Sequence, residues 1–337
     1  MNTQNGKSQI ALEFSQEMER INRKTRLINT MPLIILFVLV FIMSVVAEGF
    51  FSLYNFQTIL SQLSIMLVMS MGLTFVILIG SIDLSGEGLG GFAGAVTSLL
   101  VLNGKNTNNF GIWGILFVIV AVTLIGILSG VIHVKGKMPS FMVTYSISSI
   151  MAGFAVLSYK GQPAMIKYPF FTQLSQGTFI GIPILTWISI IVFCIAYILQ
   201  TRTKFGTYLF AIGDNENIVR NTGINIDLVK VKVFAWSAFC IGLAGVMGAV
   251  RIGRGVVDIG VGIVFPAITA VVVGGTSLSG GKGGVVNSLI GALIVTIINN
   301  GLILLGVSTY IQAAVQGIII IAAVALSVEH DRKGICK

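Results

Sequence analysis

Ten long apolar segments, separated by short polar connections, make up most of this chain. A helix needs about 20 predominantly apolar residues to cross a bilayer, because it rises about 1.5 Å per residue. We therefore predict about ten transmembrane helices in one bundle. The predicted spans are 32–48, 60–80, 86–103, 112–134, 140–158, 184–200, 232–250, 263–275, 285–305 and 310–328.

Composition supports a membrane protein and excludes a soluble globular domain. The 337 residues are 55% hydrophobic and only 10% charged, with a mean hydropathy of +0.95. Soluble domains carry about 25% charged residues. The connections are too short to hold a folded soluble domain. The predicted fold is therefore all-α, with one polytopic domain over 32–328 between a tail at 1–31 and a tail at 329–337.

The net charge of +9 is explained by where the basic residues fall. With a cytoplasmic N-terminus, sixteen of the 21 Lys and Arg residues lie in cytoplasmic segments, the asymmetry typical of membrane proteins. This places both termini in the cytoplasm and gives no reason to expect a nucleic acid partner. The five predicted outside are Lys105, Lys160, Lys167, Arg251 and Arg254.

The N-terminal tail is too long and polar to be the first region of a signal peptide, so we predict an uncleaved first helix. Four apolar residues in the tail recur at helical spacing, which predicts an amphipathic helix on the inner membrane surface. A disordered tail is the alternative. The four residues are Ile10, Phe14, Met18 and Ile21.

Two glycine-rich segments interrupt the apolar pattern in a similar way. Residues 76–91 read VILIGSIDLSGEGLGG and residues 271–286 read VVVGGTSLSGGKGGVV, and Gly80 aligns with Gly274 when the two are superposed. Transporters often bind solutes where spanning helices are interrupted. We predict two helix breaks, each followed by a new helix.

Asp83 in the first break requires an explanation, because a charged side chain in hydrocarbon costs roughly 2.5–3.5 kcal/mol even on the lenient insertion scale. One interpretation is that Asp83 or Ser85 caps the helix that follows, as Thr276, Ser277 or Ser279 would in the second break. Another is a direct role in a solute pathway or its gate. Contact with a partner at the cytoplasmic end is the third.

Amide side chains and small residues within the spans have two interpretations each. Asn299 and Asn300, like Gln312 and Gln316, either join helices or line a solute pathway. Glycines recur at helical spacing in three segments, which favours close helix packing within one subunit or a homodimer seam. These glycines are Gly86, Gly90 and Gly94; Gly126 and Gly130; and Gly242, Gly245 and Gly248.

The longest cytoplasmic connection, 201–231, carries the signals of a short helix. Asp214, Asn215 or Asn217 can cap a helix that runs to about Asn221, and Gly223 suits the position after its end. A capped helix flanked by basic residues is a natural docking element for a soluble partner. An ordinary structured connection is the alternative.

No catalytic, metal or cofactor site is predicted. The GGKGG stretch at 280–284 lacks the spacing of a phosphate-binding loop, since Thr276 and Gly283 stand where Gly and Ser or Thr are needed. The chain should therefore not bind ATP itself. The two histidines stand apart, and the three cysteines fit neither a disulfide framework nor a metal site. These residues are His133, His330, Cys194, Cys240 and Cys336.

Four stretches, taken in order, resemble the permease subunit of ribose-type sugar importers in the branched-chain and monosaccharide permease family of ABC transporters. They are GLTFVILIGSIDLS (72–85), FGTYLFAIGDNE (205–216) with TGINI (222–226), VVVGGTSLSGGKG (271–283) and NNGLILLGVSTY (299–310).

The resemblance implies a homodimer of permeases that forms the solute path and takes in a monosaccharide or similar polar solute. Two copies of a separate ABC ATPase subunit would dock below it, and an extracytoplasmic sugar-binding protein would deliver the solute. It places the ATPase-coupling residues in the 201–231 loop. They are Gly213, Asp214, Asn215, Glu216, Arg220 and Gly223.

The chain departs from the family pattern at three places. Gly86-Glu87 stands where the family continues with Val-Gly, and Val264-Phe265-Pro266 stands where it carries Glu-Leu-Asp. Two small alanines of the coupling loop are replaced by Asn217 and Ile218.

An ion-coupled secondary transporter is the alternative function. Such transporters usually keep ionisable groups at mid-depth, but only Asp83 and Glu87 are charged in or beside a span core. This scarcity favours a neutral polar solute over an ion. A membrane enzyme is disfavoured because no catalytic constellation is apparent. The candidate pathway or gate residues are Asp83, Ser85, Thr276, Ser277, Asn299 and Asn300.

Overall fold

The computed structural model describes residues 30–327, so the predicted amphipathic helix of the N-terminal tail and the C-terminal tail lie outside it. In chain order, the first elements are α1 Thr30–Val46, α2 Leu53–Leu78, α3 Gly86–Leu100, α4 Gly111–Gly136, α5 Ser140–Tyr159, α6 Pro169–Gln176, β1 Thr178–Phe179 and β2 Ile182–Pro183. They are followed by α7 Ile184–Arg202, α8 Lys204–Asn221, α9 Ile226–Ile252, α10 Asp258–Val261, α11 Val264–Val273, α12 Val285–Leu304 and α13 Thr309–Ser327.

Each predicted apolar segment coincides with a helix, which confirms a largely helical, polytopic membrane protein. Within residues 30–327, six helices are long and apolar enough to cross a membrane: α2, α4, α5, α7, α9 and α12. The count of ten spans stays a prediction. α2 begins at Leu53 rather than 60, and Ser52 caps its first turn by accepting the Asn55 N–H at 3.1 Å.

α2 and α9 form the centre of the bundle, and both are buried along most of their length. α9 packs against α2, α3 and α4. The outer helices instead turn apolar side chains away from the protein, as α4 does with Trp113 and Phe117, which are 75% and 64% exposed. An apolar outer face around a buried centre is the arrangement expected of a protein surrounded by lipid.

The predicted glycine stripes pack against helices of the same chain, which confirms close packing within one subunit. The backbones of α3 and α9 meet where Gly90 faces Gly245, because a Cβ at Gly245 would overlap the Gly90 carbonyl oxygen. α4 and α9 approach closely where Gly126 faces Ala238.

The connection between α5 and α7 contains structure that the sequence pattern did not predict. α6 is followed by a two-stranded antiparallel sheet in which Thr178 pairs with Pro183 and Phe179 with Ile182. Two isolated bridges, Asn103–Ile166 and Met165–Arg254, join this connection to its neighbours. The all-α prediction is therefore correct for the bundle but misses this hairpin.

Replacing Gly245 by Ala should separate α3 from α9 and destabilise the protein by about 1–3 kcal/mol, the usual cost of overpacking a well-packed core. The change should lower the thermal midpoint of the detergent-purified protein. Gly153→Ala is the matched control, because a Cβ at Gly153 meets nothing within 4 Å. Equal midpoints for the two variants would contradict this account.

Candidate functional site

The first helix break, residues 79–85, is held by a row of hydroxyl groups on α5 that we call the hydroxyl ladder. Inside a membrane each backbone N–H needs an acceptor from the protein, and an irregular segment lacks the regular backbone bonds that a helix supplies. The members of the ladder recur every four residues and so lie on one face of α5. The bonds are Ile82 N–H to Ser140 Oγ (3.0 Å), Leu84 N–H to Thr144 Oγ1 (3.0 Å) and Gly88 N–H to Ser148 Oγ (2.9 Å).

Asp83 is 2% exposed, and both of its carboxylate oxygens accept hydrogen bonds. Oδ1 accepts the Ser85 N–H at 2.8 Å and the Ser85 hydroxyl at 2.6 Å. Oδ2 accepts the Ser237 hydroxyl of α9 at 2.7 Å. The carboxylate therefore fixes the shape of the break and ties it to the central helix.

The predicted capping of α3 is corrected by this geometry. Ser85 occupies the cap position, but its side chain makes no capping bond because it donates to Asp83. Asp83 accepts an N–H that precedes the helix rather than one in its first turn. The acceptor for the first turn is Ser148 of α5, which sequence spacing did not identify.

The second break, residues 274–284, is held partly by the predicted hydroxyls. Thr276 is buried and accepts the N–H of Gly284, the cap residue of α12, at 3.1 Å. Ser277 is partly buried and accepts the Ser279 N–H at 3.3 Å. The first N–H of α12, at Val285, is bound by the Gln200 side chain of α7 at 2.7 Å, a long-range contact that the sequence did not indicate.

The two breaks meet α8 at four glycines, Gly80, Gly213, Gly280 and Gly281, which we call the glycine junction. The Gly281 N–H donates to the Leu78 carbonyl at the end of α2 at 2.9 Å. A Cβ at Gly213 would overlap both atoms of that bond. Three backbone segments therefore touch without side chains between them.

A short helix over residues 216–221 follows the junction directly, and we call it the docking helix after the role predicted for it. α8 is kinked at Asn215, whose φ of −157° and ψ of 99° are not helical. Asn215 Oδ1 accepts the Ile218 N–H at 3.2 Å, and Gly223 after the helix has a φ of +80°. The predicted short helix is therefore present, with Asn215 as the cap among the three candidates.

Glu216 fastens the docking helix to α9. It forms ion pairs with Lys230 at 2.7 Å and, within the helix, with Arg220 at 3.0 Å. Partial burial raises the pKa of Glu216, but its hydrogen bond to Lys230 and the charges of both partners outweigh burial and hold the pKa below its ordinary value. The ion pairs are therefore intact at neutral pH and weaken only when acidification protonates the carboxylate.

The outward face of the docking helix carries an apolar side chain. Ile218 is 63% exposed, whereas the neighbouring Val219 is buried against the bundle. The polar residues around Ile218 are also exposed: Asp214, Asn215, Asn217, Arg220 and Asn221. Ile218 is therefore an exposed apolar side chain surrounded by exposed polar residues.

The two adjacent asparagines of α12 have different surroundings. Asn300 is buried and exchanges two hydrogen bonds with Asn55 of α2, at 2.8 and 3.1 Å, so it joins helices. Asn299 is partly buried, accepts from Gln316 of α13 at 2.9 Å, and lies on a narrow cleft that Thr269 of α11 also lines.

The predicted pathway residues thus fall into separate groups. Asp83 and Ser85 bond to each other in the first break, while Thr276 and Ser277 lie in the second break before α12. Asn299 and Asn300 lie near the far end of α12, about 20 Å from the second break at 1.5 Å per residue. Within residues 30–327, no group of three His, Cys, Asp or Glu side chains is arranged to hold a metal ion.

These features define a multi-pass membrane protein with two fixed helix breaks and an exposed docking helix at one end. Comparison with known proteins agrees with the assignment as a membrane protein. The family model described as "Branched-chain amino acid transport system / permease component" matches residues 55–324. No solved structure is significantly similar to the chain.

Three relatives illustrate the similarity. The ribose import permease protein RbsC of Haemophilus influenzae is 37% identical over 88% of this chain and 92% of that protein. RbsC of Bacillus subtilis is 33% identical over 95% of this chain and 98% of that protein. The D-allose transport system permease protein AlsC of Escherichia coli is 35% identical over 83% of this chain and 85% of that protein.

The chain therefore belongs to this permease family, a family of transport components, and is a multi-pass protein of the cell membrane.

Ser148→Ala should destabilise the protein by about 1–3 kcal/mol, because the Gly88 N–H would lose its acceptor inside the bundle. Thermal unfolding in detergent measures the effect. Ser149→Ala is the matched control on the next residue, since Ser149 is exposed and bonds only to Tyr145 O in its own helix. If Ser149→Ala lowered the midpoint as much, the hydroxyl ladder would have no special role.

Asp83→Ala should destabilise the protein by at least about 1–3 kcal/mol, because the donors of Ser85 and Ser237 would lose a charged acceptor. Asp227→Ala, at an exposed position in the first turn of α9, is the control and should change stability by less than about 1 kcal/mol. Indistinguishable unfolding midpoints for the two variants would refute the structural role of Asp83.

Proposed function

We propose that this chain is the transmembrane permease subunit of an ABC importer that moves a monosaccharide or similar polar solute inward. Two copies form the solute path, a separate ATPase subunit drives transport, and an extracytoplasmic binding protein delivers the solute. The relatives named for ribose and D-allose import support the solute class. Family membership supports the division of labour between subunits.

The proposed topology has ten spans with both termini in the cytoplasm. On this topology α2, α4, α7 and α11 end on the cytoplasmic side, and α3, α5, α9 and α12 begin there. The two breaks and α8 then share the cytoplasmic end, in keeping with their direct contact at the glycine junction. The 201–231 segment becomes the coupling loop of the domain over 32–328.

The docking helix is the observation on which the ATPase interaction rests. Glu216 and Lys230 hold it against the bundle, and Ile218 projects from it. Arg220 and the exposed polar residues around Ile218 complete the surface, with Gly213 and Gly223 at its two boundaries. A folded, capped element with an apolar centre offers a partner a contact that needs little ordering on binding.

The solute path is proposed to run beside α11, α12 and α13. Asn299 and Gln316 lie at the cleft between these helices, and their amide groups, which bond to each other here, are of the kind that binds a polyhydroxylated solute. Asp83, Ser85, Thr276 and Ser277 act on this path indirectly, because they hold the breaks in place. The bonded state of Asp83 also gives no support to ion coupling, which needs an exchangeable carboxylate.

Ile218→Asp should reduce ATPase retention on the purified permease about tenfold or more, because it places a charge at the centre of the contact surface. Co-purification and solute uptake in proteoliposomes measure the effect. Ile252→Asp is the matched control, since Ile252 is a similarly exposed isoleucine at the opposite end of α9 and should leave retention unchanged.

The orientation of the chain in the membrane can be tested by cysteine labelling of the same proteoliposomes. A cysteine at Asn217 should react with an impermeant reagent only from the cytoplasmic side, and a cysteine at Gln162 only from outside. Labelling of position 217 from outside would overturn the proposed topology and, with it, the ATPase contact.

A further inference from the structure

We infer that Gly213 is a positioning residue that transmits movement of the docking helix to both helix breaks through the glycine junction. The inference rests on the proposed function and extends it, because it assigns a mechanical route between the ATPase contact and the membrane bundle.

The contacts at the junction are backbone to backbone. A Cβ at Gly280 would lie 2.8 Å from the Gly80 nitrogen, 2.9 Å from the Gly213 Cα and 3.0 Å from the Leu78 carbonyl oxygen. A Cβ at Gly281 would lie 3.1 Å from the Asp214 nitrogen. Because no flexible side chain intervenes, a displacement of α8 by a few tenths of an ångström must move the other two segments.

Gly213 lies two residues before the kink at Asn215 and is partly buried, so it lies beneath the docking helix rather than on its exposed face. The helix segment that precedes it is fixed by the buried Leu209 and Ile212. The kink therefore connects the exposed surface of the docking helix to a residue that packs against Leu78, next to the first break, and against Gly280 and Gly281 in the second break.

The second break is held by the α7–α8 corner at a second point. Gln200 accepts the Val285 N–H at 2.7 Å, and Gly206 of α8 packs against the Gln200 backbone. A shift of α8 therefore acts on both ends of the second break, at Gly281 and at the start of α12.

The first break extends the route into the bundle. From Gly80 it continues to Asp83, which bonds to Ser237 of α9, and to the ladder on α5. α12 leads from the second break to Asn299 and the cleft. Each link is a hydrogen bond or a van der Waals contact between described residues, so no unobserved element is required.

Gly213→Ala tests the inference. The added methyl group would force Leu78 and Gly281 apart, so solute uptake and its stimulation of ATP hydrolysis should fall about tenfold, within the range of coupling between distant sites. ATPase co-purification should be retained, because the exposed face of the docking helix is unchanged. Gly153→Ala is the control and should keep full coupling.

A labelling experiment tests the same route without disturbing the junction. A cysteine at the exposed Ser279 of the second break, in a chain whose native cysteines are replaced, reports movement there. Its modification rate should change several-fold when ATP is bound to a hydrolysis-deficient ATPase in the intact complex. The change should be lost in Ile218→Asp complexes that no longer retain the ATPase.

The outcomes separate the two proposals. If the otherwise unaltered permease neither retains an ATPase nor responds to ATP, the proposed function fails. If it retains the ATPase and transports solute, but ATP does not change the modification rate of the cysteine at 279, the proposed route through the junction is wrong. Normal coupling in Gly213→Ala would overturn the role of Gly213 in the same way.

Discussion

The need of each buried backbone N–H for an acceptor governs this structure. A continuous helix meets that need internally, but the 79–85 segment is not helical and lies within the bundle. The α5 hydroxyls and the Asp83 carboxylate provide the acceptors. Since those acceptors belong to α5 and the break itself, the break has one defined shape and cannot be moved without moving its neighbours.

This constraint means that a helix break inside the bundle need not be loose. A segment held by direct hydrogen bonds to α5 and α9 moves with those helices as a unit. The glycine junction adds α8 to that unit through backbone contact. On the route proposed above, a displacement of the docking helix reaches the helices around the cleft without being absorbed by flexible side chains.

Local features of the fold were predictable from the sequence, whereas contacts between distant segments were not. Apolar runs located the helices, and Asn215 with Gly223 located the docking helix, because these signals are local. Ser148 and Ser149 look alike in sequence, yet one lies in the ladder and the other bonds within its own helix. Asn300, Gln200 and Gly213 likewise acquire their roles from residues far away in the chain.

Gly86 and Val264, at which the sequence departs from the expected pattern, are neighbours in space. A Cβ at Gly86 would lie only 2.7 Å from Val264 Cγ2, so a larger residue at 86 would require Val264 to shift. Val264 is buried in the bundle, where a carboxylate would need a hydrogen-bonding partner. The packing of Gly86 and Val264 is therefore interdependent, and this contact joins the start of α11 to the start of α3.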